Sequence, residues 1–350
     1  MSKKIKQPTI GDVADATGVS KATVSRALAG YGRISEETEK RIKRVADELG
    51  YRPNEVARAM RAGKTGSIGL VVISDYTNAF FAPVTKAIID SARALGLETL
   101  VAHIDEDYRN ENMALQTMVN KRVDGLIVVP SANRPIESIN AQVVGKTPLI
   151  LIDRKLEGSE HPAVVTNDRQ GAIDAVTYAH ERGHRKMGFL ISVPGLTEAS
   201  EVQPEIPIST VRERTEGFLT SKELSGVSSR FVFLHENVLD SEVAIQKLLE
   251  SDDRPTILFT SNNDVLTVLL KVMGKLKLKV ARDVSVISFD DSPWTESVDP
   301  PLTVISRSVE QIGTQAVEAL DQLIKGSEVE PVSVIATKLI IRDSVRQLNE

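Results

Sequence analysis

The chain has 350 residues and a formal net charge of −5, with 41% hydrophobic but only 4% aromatic residues and no cysteine. That length predicts two or three domains with a sizeable, mostly aliphatic core, and the lack of cysteine excludes disulfides and thiolate metal sites. No apolar run follows the lysines at 3, 4 and 6, so neither a secretion signal nor a membrane span is expected, and a soluble cytoplasmic protein is.

Residues 1–63 carry 13 Lys and Arg against 8 Asp and Glu, whereas the remainder carries 30 against 40. A basic head on an acidic body suits a head that meets polyphosphate and a body that does not. The first pattern along the chain agrees. In residues 9–28, Ile10, Val13 and Ala14 fall at helical spacing, with Thr9 or Asp12 available to cap the start. Gly18 breaks this helix, because glycine enters φ > 0 without a Cβ penalty. Ser20 caps a second helix whose inward face is Val24, Ala27 and Leu28, leaving Lys21, Ala22, Ser25 and Arg26 outward. A buried stripe backed by short polar and basic side chains suits a helix that lies in the DNA major groove.

A third helix is expected over 35–49, capped by Ser35 and closing a three-helix core with Ile42, Val45, Ala46 and Leu49. For Lys40, Arg41, Lys43 and Arg44, which lie between, a solvated face and phosphate contact stand as equal readings. Pro53 ends the helical run, since proline disfavours helical geometry in its predecessor. Residues 54–61 then read as about two helical turns, marginal alone in water. With the Gly63-Lys64-Thr65-Gly66 joint after them, they form a candidate switch, ordered only when something packs on it.

From residue 67 apolar strand-like runs alternate with helical ones. Strands are expected at 68–73, 99–102, 125–129 and 149–152, with helices at 81–95, 112–120 and 136–144. A second series starts near 163, with strands at 187–191, 230–234, 256–259 and 284–289 and helices at 171–182, 210–224, 241–249 and 264–275. Such alternation predicts parallel sheets covered on both faces. Two series of similar length predict two similar subdomains, with ligands gathering beyond the carboxyl ends of the strands.

With these residues in place, the chain resembles the lactose/galactose repressor family from residue 9 to about 345. The resemblance rests on the helix-turn-helix, the Tyr51-Arg52-Pro53-Asn54 link, the stretches at 181–189 and 214–218, the Asn263-Asp264 pair and the run 284–291. It implies an all-α helix-turn-helix head at 1–53, a hinge helix and linker at 54–66, and an α/β periplasmic-binding-protein-like body at 67–350. The body would comprise two doubly wound parallel-sheet subdomains, one from 67–162 and 293–325, the other from 163–292 and 326–345. The family implies a homodimer that binds a near-palindromic double-stranded operator and changes affinity when a small effector enters the cleft. No heptad tail follows residue 345, so a dimer is expected rather than a tetramer. Thr9, Lys21, Ala22, Thr23, Ser25, Arg26, Asn54, Ala57 and Met60 match the family's DNA-contacting positions. Met60 stands where leucine is usual, as a wedge into the minor groove.

For the effector, the resemblance is to ribose-binding proteins. It assigns the cleft Phe80, Phe81, Asp153, Arg154, Thr210, Arg214, Asn263, Asp290 and Arg307, with Asn78 ahead of the aromatic pair. Aromatic faces stack on a sugar ring, and carboxylates and guanidinium groups bind neighbouring hydroxyls in pairs. Arg307 departs from the family's glutamine, and Val238 falls near a place often aromatic. Two readings of Arg307 stand side by side: three guanidinium groups select an anionic sugar derivative, or Arg307 forms a structural ion pair with Asp75 or Asp291. The segment 193–208, with three prolines, reads as a loop over the cleft or a surface excursion; Trp294 reads as lining the cleft or packing at the crossover, and packing is the commoner role for a lone tryptophan. No metalloprotease, phosphate-loop or serine-hydrolase motif is present, and His180 with His184 reads as a surface pair. The expectation is a regulator without cofactor, metal or enzymatic activity; the alternative is a solute-binding protein of the transport type.

Overall fold

A computed structural model describes residues 8–29, 34–52, 64–73, 79–132, 139, 144–156, 158–235 and 238–348. The chain divides into two compact units, Met1–Thr65 and Gly66–Glu350.

The first unit contains α1 (Ile10–Thr17), α2 (Lys21–Ala29) and α3 (Glu36–Leu49). Side-chain caps set their boundaries. Thr9 and Asp12 form a capping box at α1, with the Thr9 N–H donating to the Asp12 carboxylate at 2.7 Å. Ser20 Oγ accepts from the Thr23 N–H at 3.1 Å, and Ser35 Oγ from the Thr38 N–H at 3.3 Å. Each such cap satisfies a donor that the helix itself leaves open, worth about 1 kcal/mol. Gly18, at φ 67, makes the turn between α1 and α2. Val13, Ala14, Val24, Ala27, Ile42 and Ala46 meet as the buried core.

The second unit holds two six-stranded sheets. The first contains β1 (Ser67–Ile73), β2 (Glu98–Ile104), β3 (Gly125–Val128), β4 (Leu149–Ile152), β5 (Ala163–Thr166) and β11 (Val332–Ile335). Its order is β11-β5-β4-β3-β1-β2, and every pairing is parallel. The second contains β6 (Lys186–Ser192), β7 (Ser228–Leu234), β8 (Ile257–Thr260), β9 (Ser285–Phe289), β10 (Thr303–Arg307) and β12 (Thr337–Ile340), in the order β12-β10-β9-β8-β6-β7. Only β12 runs antiparallel, with Ile305 opposite Leu339. The first five strands of each sheet therefore share one order, with the reversal that places a ligand crevice beyond the strand ends.

The first lobe carries α4 (Phe81–Ala94), α5 (Tyr108–Asn120) and α11 (Val309–Ile324). The second carries α6 (Asp168–Glu181), α7 (Ser209–Leu219), α8 (Val238–Glu250), α9 (Asn263–Lys275) and α10 (Pro293–Ser297). The sparse aromatics concentrate there, Phe189 stacking between Phe231 at 4.6 Å and Phe259 at 4.8 Å.

Sheet membership corrects the expected subdomain borders. β5 belongs to the first lobe, so the first crossing follows residue 166 rather than 162. β10 belongs to the second, so the chain returns only at 308, not at 293. It crosses a last time between β11 and β12, near 336 rather than 325. Strand pairing decides each case: the β5 amides find partners on β4 and β11, and those of β10 on β9 and β12. The elements from 293 onward, α10, β10, α11, β11 and β12, were not resolved individually by periodicity. Most of the helix expected at 136–144 lies outside the described residues.

Segment 193–208 is a surface excursion along the second sheet's edge. Ser200 exchanges two backbone hydrogen bonds with Phe233 of β7, and Ile206 and Ile208 plug into the adjacent core. Trp294 packs, partly buried, on the other core of that lobe.

Candidate effector cleft and operator-reading face

On the head, Lys21, Ala22 and Arg26 are exposed and Thr23 and Ser25 half-buried, while Val24 and Ala27 turn into the core. Arg26 is steadied by its Nε–H donating to the Ala22 carbonyl at 3.3 Å. Gly11 leaves room for the Lys21 stem, since a Cβ at 11 would stand 3.3 Å from Lys21 Cε. Thr9 is exposed at the start of α1. The basic residues of α3 are different. Lys40 pairs with Glu36 at 2.7 Å, Lys43 with Glu39 at 2.6 Å, and Arg44 approaches Glu48 at 3.6 Å, all on an exposed face. That pattern favours the solvated reading for these three. Asn54, Ala57 and Met60, and with them the hinge helix, lie outside the described residues.

In the body, strand ends supply the cleft. Asp153 and Arg154 follow β4, Asp290 follows β9, Arg307 ends β10, and Asn263 opens α9 just beyond β8. All five are buried. Asp153 and Asp290 are non-glycine residues at φ 65 and 70, backbone strain of a kind that gathers at functional sites.

Arg307 links these groups. Its Nε–H donates to Asp290 Oδ1 at 2.7 Å and its Nη1–H to Asp153 Oδ1 at 2.6 Å. Its Cζ lies 3.4 Å from the centre of the Phe80 ring. Burial alone would lower the Arg307 pKa, but Asp290, Asp153 and Asp168 outweigh it and hold the guanidinium firmly protonated. Phe81 meets Phe80 edge-on at 5.1 Å. The ion pair expected for Arg307 therefore has other partners. Asp291 is taken by Arg342, with both oxygens accepting at 3.0 Å, and Asp75, like Asn78, lies outside the described residues.

The other guanidinium groups are matched too. Arg154 forms a bidentate pair with Glu106 at 2.6 and 3.0 Å and donates to the Pro130 carbonyl. Arg214 donates through Nε to Asp168 at 2.7 Å and through Nη1 to the Ser261 carbonyl at 2.5 Å. Glu106 and Asp168 were missed in the sequence. Glu106 hides in an acidic run that looks like solvated loop, and Asp168 looks like a helix-start residue. With them counted, three arginines face four carboxylates, and the surplus positive charge behind the anionic reading disappears.

Thr210 is buried in the first turn of α7, beside Ser209, whose Oγ accepts from the Lys155 N–H at 3.1 Å. Lys155 also reaches Glu213 at 2.7 Å. Two cleft side chains are not fully satisfied. Arg154 Nε, 3.7 Å from Asp153 Oδ2, has no hydrogen-bond partner among the described residues. Asn263 Oδ1 and Nδ2 are both shut off from solvent and likewise have no hydrogen-bond partner among the described residues. The side chain of Val238 is outside the described set. His184 is no surface residue; it is fully buried, with Nδ1 2.8 Å from Thr256 Oγ1 and Nε2 3.2 Å from the Arg346 carbonyl. Among the described residues no group of three or more acidic, histidine or cysteine side chains could hold a metal ion, and no helix is long and apolar enough to cross a membrane.

Comparison with known proteins agrees with this architecture. Residues 9–54 match the bacterial regulatory proteins of the lacI family, and residues 176–345 match the periplasmic binding protein-like domain. Catabolite control protein A of Priestia megaterium is 30% identical over 325 residues, covering 92% of this chain and 94% of that protein. The Lac repressor dimer bound to operator and the anti-inducer ONPF superposes with a TM-score of 0.84 at 21% identity, over 97% of this chain and 100% of that one. A putative ribose operon repressor from Burkholderia thailandensis gives a TM-score of 0.68 at 29% identity, over 79% and 98%. The relatives are transcriptional regulators with a DNA-binding head and a ligand-binding body, and this chain belongs to the LacI family of bacterial regulatory proteins.

Proposed function

We propose that the chain is a homodimeric repressor acting in the bacterial cytoplasm, whose affinity for a near-palindromic operator is set by a neutral, polyhydroxylated effector held in the body's cleft. Lys21, Ala22, Thr23, Ser25 and Arg26 read the operator, with Thr9, Asn54, Ala57 and Met60 contributing flanking and minor-groove contacts. Phe80, Phe81, Asp153, Arg154, Thr210, Arg214, Asn263, Asp290 and Arg307 line the effector site.

One observation carries the ligand class: the Asn263 amide, buried with both its donor and its acceptor unmet. Leaving such groups unpaired costs about 1–3 kcal/mol each. A ligand hydroxyl both donates and accepts, so a pair of them repays that cost without bringing a charge. The charge balance supports a neutral ligand as well, because each cleft guanidinium already has a carboxylate. The resemblance to a putative ribose operon repressor makes ribose the first probe. Binding energy reaches the operator by linkage: an effector that prefers one arrangement of the two lobes shifts DNA affinity by the difference in its affinities for them.

Calorimetric titration of the full chain with D-ribose and with D-ribose 5-phosphate tests the class. The neutral sugar binds at least as tightly, and Asn263→Leu removes the binding. Preference for the phosphate refutes the neutral reading, and retention of a duplex-binding activity indifferent to every sugar tried refutes effector control.

A further inference from the structure

Arg307 joins the two lobes as well as lining the cleft. Phe80 and Asp153 belong to the first lobe, whereas Arg307 and Asp290 belong to the second. The Arg307–Asp290 contact at 2.7 Å is therefore internal to one lobe, while the Arg307–Asp153 contact at 2.6 Å spans the gap. The planar guanidinium also rests on the Phe80 face, 3.4 Å from its centre. A flat group on an aromatic ring, donating to a carboxylate from each side, does what a bound sugar ring does with its carbon face and hydroxyls. Here a side chain of the protein does it.

We infer that Arg307 is a tethered occupant of the effector cleft: without ligand its guanidinium bridges Asp153 and Asp290 against Phe80 and holds the lobes closed. This rests on the reading of the cleft as the effector site. The bridge is buried, with the Arg307 and Asp153 side chains 4% and 6% exposed. Opening leaves Arg307 with Asp290 at 2.7 Å and Asp153 with Arg154 at 3.7 Å, but forfeits the direct Arg307–Asp153 attraction, which is strong because the site is shielded from water, and that loss opposes opening. Another lobe-to-lobe pair, Lys155 with Glu213, is far more exposed, the lysine at 42%, and is correspondingly weaker. Glutamine, usual at this position in the resembled family, is neutral and cannot bridge two carboxylates as a cation. Closure that other members would draw from a ligand is, in this chain, supplied by Arg307, and an effector has to compete with it for Asp153 and Asp290.

The full chain has no cysteine, so spin labels attach only where cysteine is introduced. Exposed Lys121 at the end of α5 and exposed Lys247 on α8 report one lobe each. Labelled chain is diluted into excess unlabelled chain, so that each distance measured by pulsed electron paramagnetic resonance lies within one protomer. With no ligand added, the parent gives a single short-distance population. Arg307→Gln and Asp153→Asn both shift it to longer, broader distances, and Asp290→Asn, which leaves the bridge between lobes, does not. Asp153→Asn keeps the Arg307–Asp290 pair, so it reports on the latch even if Arg307→Gln folds poorly. An unshifted distribution in Asp153→Asn, or an equal shift in Asp290→Asn, overturns the inference. Because no sugar is present, the outcome is independent of which effector the cleft takes.

Discussion

Arg214 and Asp168 form a buried pair, 2.6 Å apart and both almost wholly shut off from water. Asp168 completes its coordination by accepting from the Thr166 hydroxyl, and Arg214 lies over the Phe289 ring at 4.3 Å. The pair ties the first turn of α6 to α7 and, through the Ser261 carbonyl, to the end of β8. Removing the carboxylate alone leaves a guanidinium in a low-dielectric site. Asp168→Ala should therefore cost about 3–5 kcal/mol in urea unfolding of the body, whereas Asp168→Leu combined with Arg214→Met should cost less than the single change.

Among the described residues of the head, Lys40 and Lys43 are paired with glutamates, whereas Lys21 and Arg26 have no carboxylate partner. Arg26→Ala should weaken specific operator binding by about 10-fold or more, in line with roughly 1–3 kcal/mol for a base-reading arginine, while sugar binding by the body is unchanged. Lys21→Ala should also reduce the slope of log affinity against log salt by about 1. Lys40→Ala with Lys43→Ala should change that slope less, because Glu36 and Glu39 already neutralise these lysines. Fluorescence anisotropy over a salt series measures all three.

The legible parts of this chain are those where local chemistry decides the structure. Thr9, Gly18 and Ser20 announce the ends of α1 and α2 because capping is a contact within three or four residues. The strand-like apolar runs through β9 were readable because both faces of each sheet are covered. The cleft was readable only through family positions, and its charge balance was not. Glu106 lies 48 residues from Arg154, and Asp168 lies 46 from Arg214; no short-range pattern connects either pair. The lobe borders failed for the same reason, since the lobe that claims residues 163–166 or 303–307 depends on strand pairing across the whole body.

Two glycines make a matched test of packing against propensity. Gly313 lies in α11 where it crosses α4, and a Cβ there would stand 2.6 Å from Ala87 Cβ and 2.9 Å from the Ala87 and Ile88 backbone. Gly274 lies in α9 with nothing within 4 Å of the same position. Alanine is favoured over glycine in a helix by about 1 kcal/mol. Gly274→Ala should be stabilising by roughly 0.5–1 kcal/mol. Gly313→Ala should be destabilising despite the same propensity gain, by about 1–3 kcal/mol from forcing the helices apart. Opposite shifts in urea midpoint are the expected readout; shifts of one sign would contradict the close approach.

His184 gives the body a defined acid sensitivity. Burial is the main cause that lowers its pKa to about 4, with the nearby Arg346 and Arg185 charges adding to it, against a hydrogen bond to the Arg346 backbone carbonyl that raises it. Both ring nitrogens have polar neighbours: Nε2 lies 3.2 Å from the Arg346 carbonyl and Nδ1 2.8 Å from Thr256 Oγ1, whose hydroxyl also reaches the Lys186 carbonyl at 3.1 Å. An unfolded chain protonates this imidazole below about 6.5. Between that value and about 4 the unfolded state holds the extra proton, so stability rises with pH across the window. The contribution is fully present above about 6.5 and is lost as the pH falls towards 4, amounting to about 3 kcal/mol at most. Urea unfolding at pH 7 and at pH 4.5 should show this loss in the parent. His184→Gln, which cannot titrate, should be less stable at pH 7 yet show a shallower decline, and an equally steep decline in that variant would assign the acid sensitivity elsewhere.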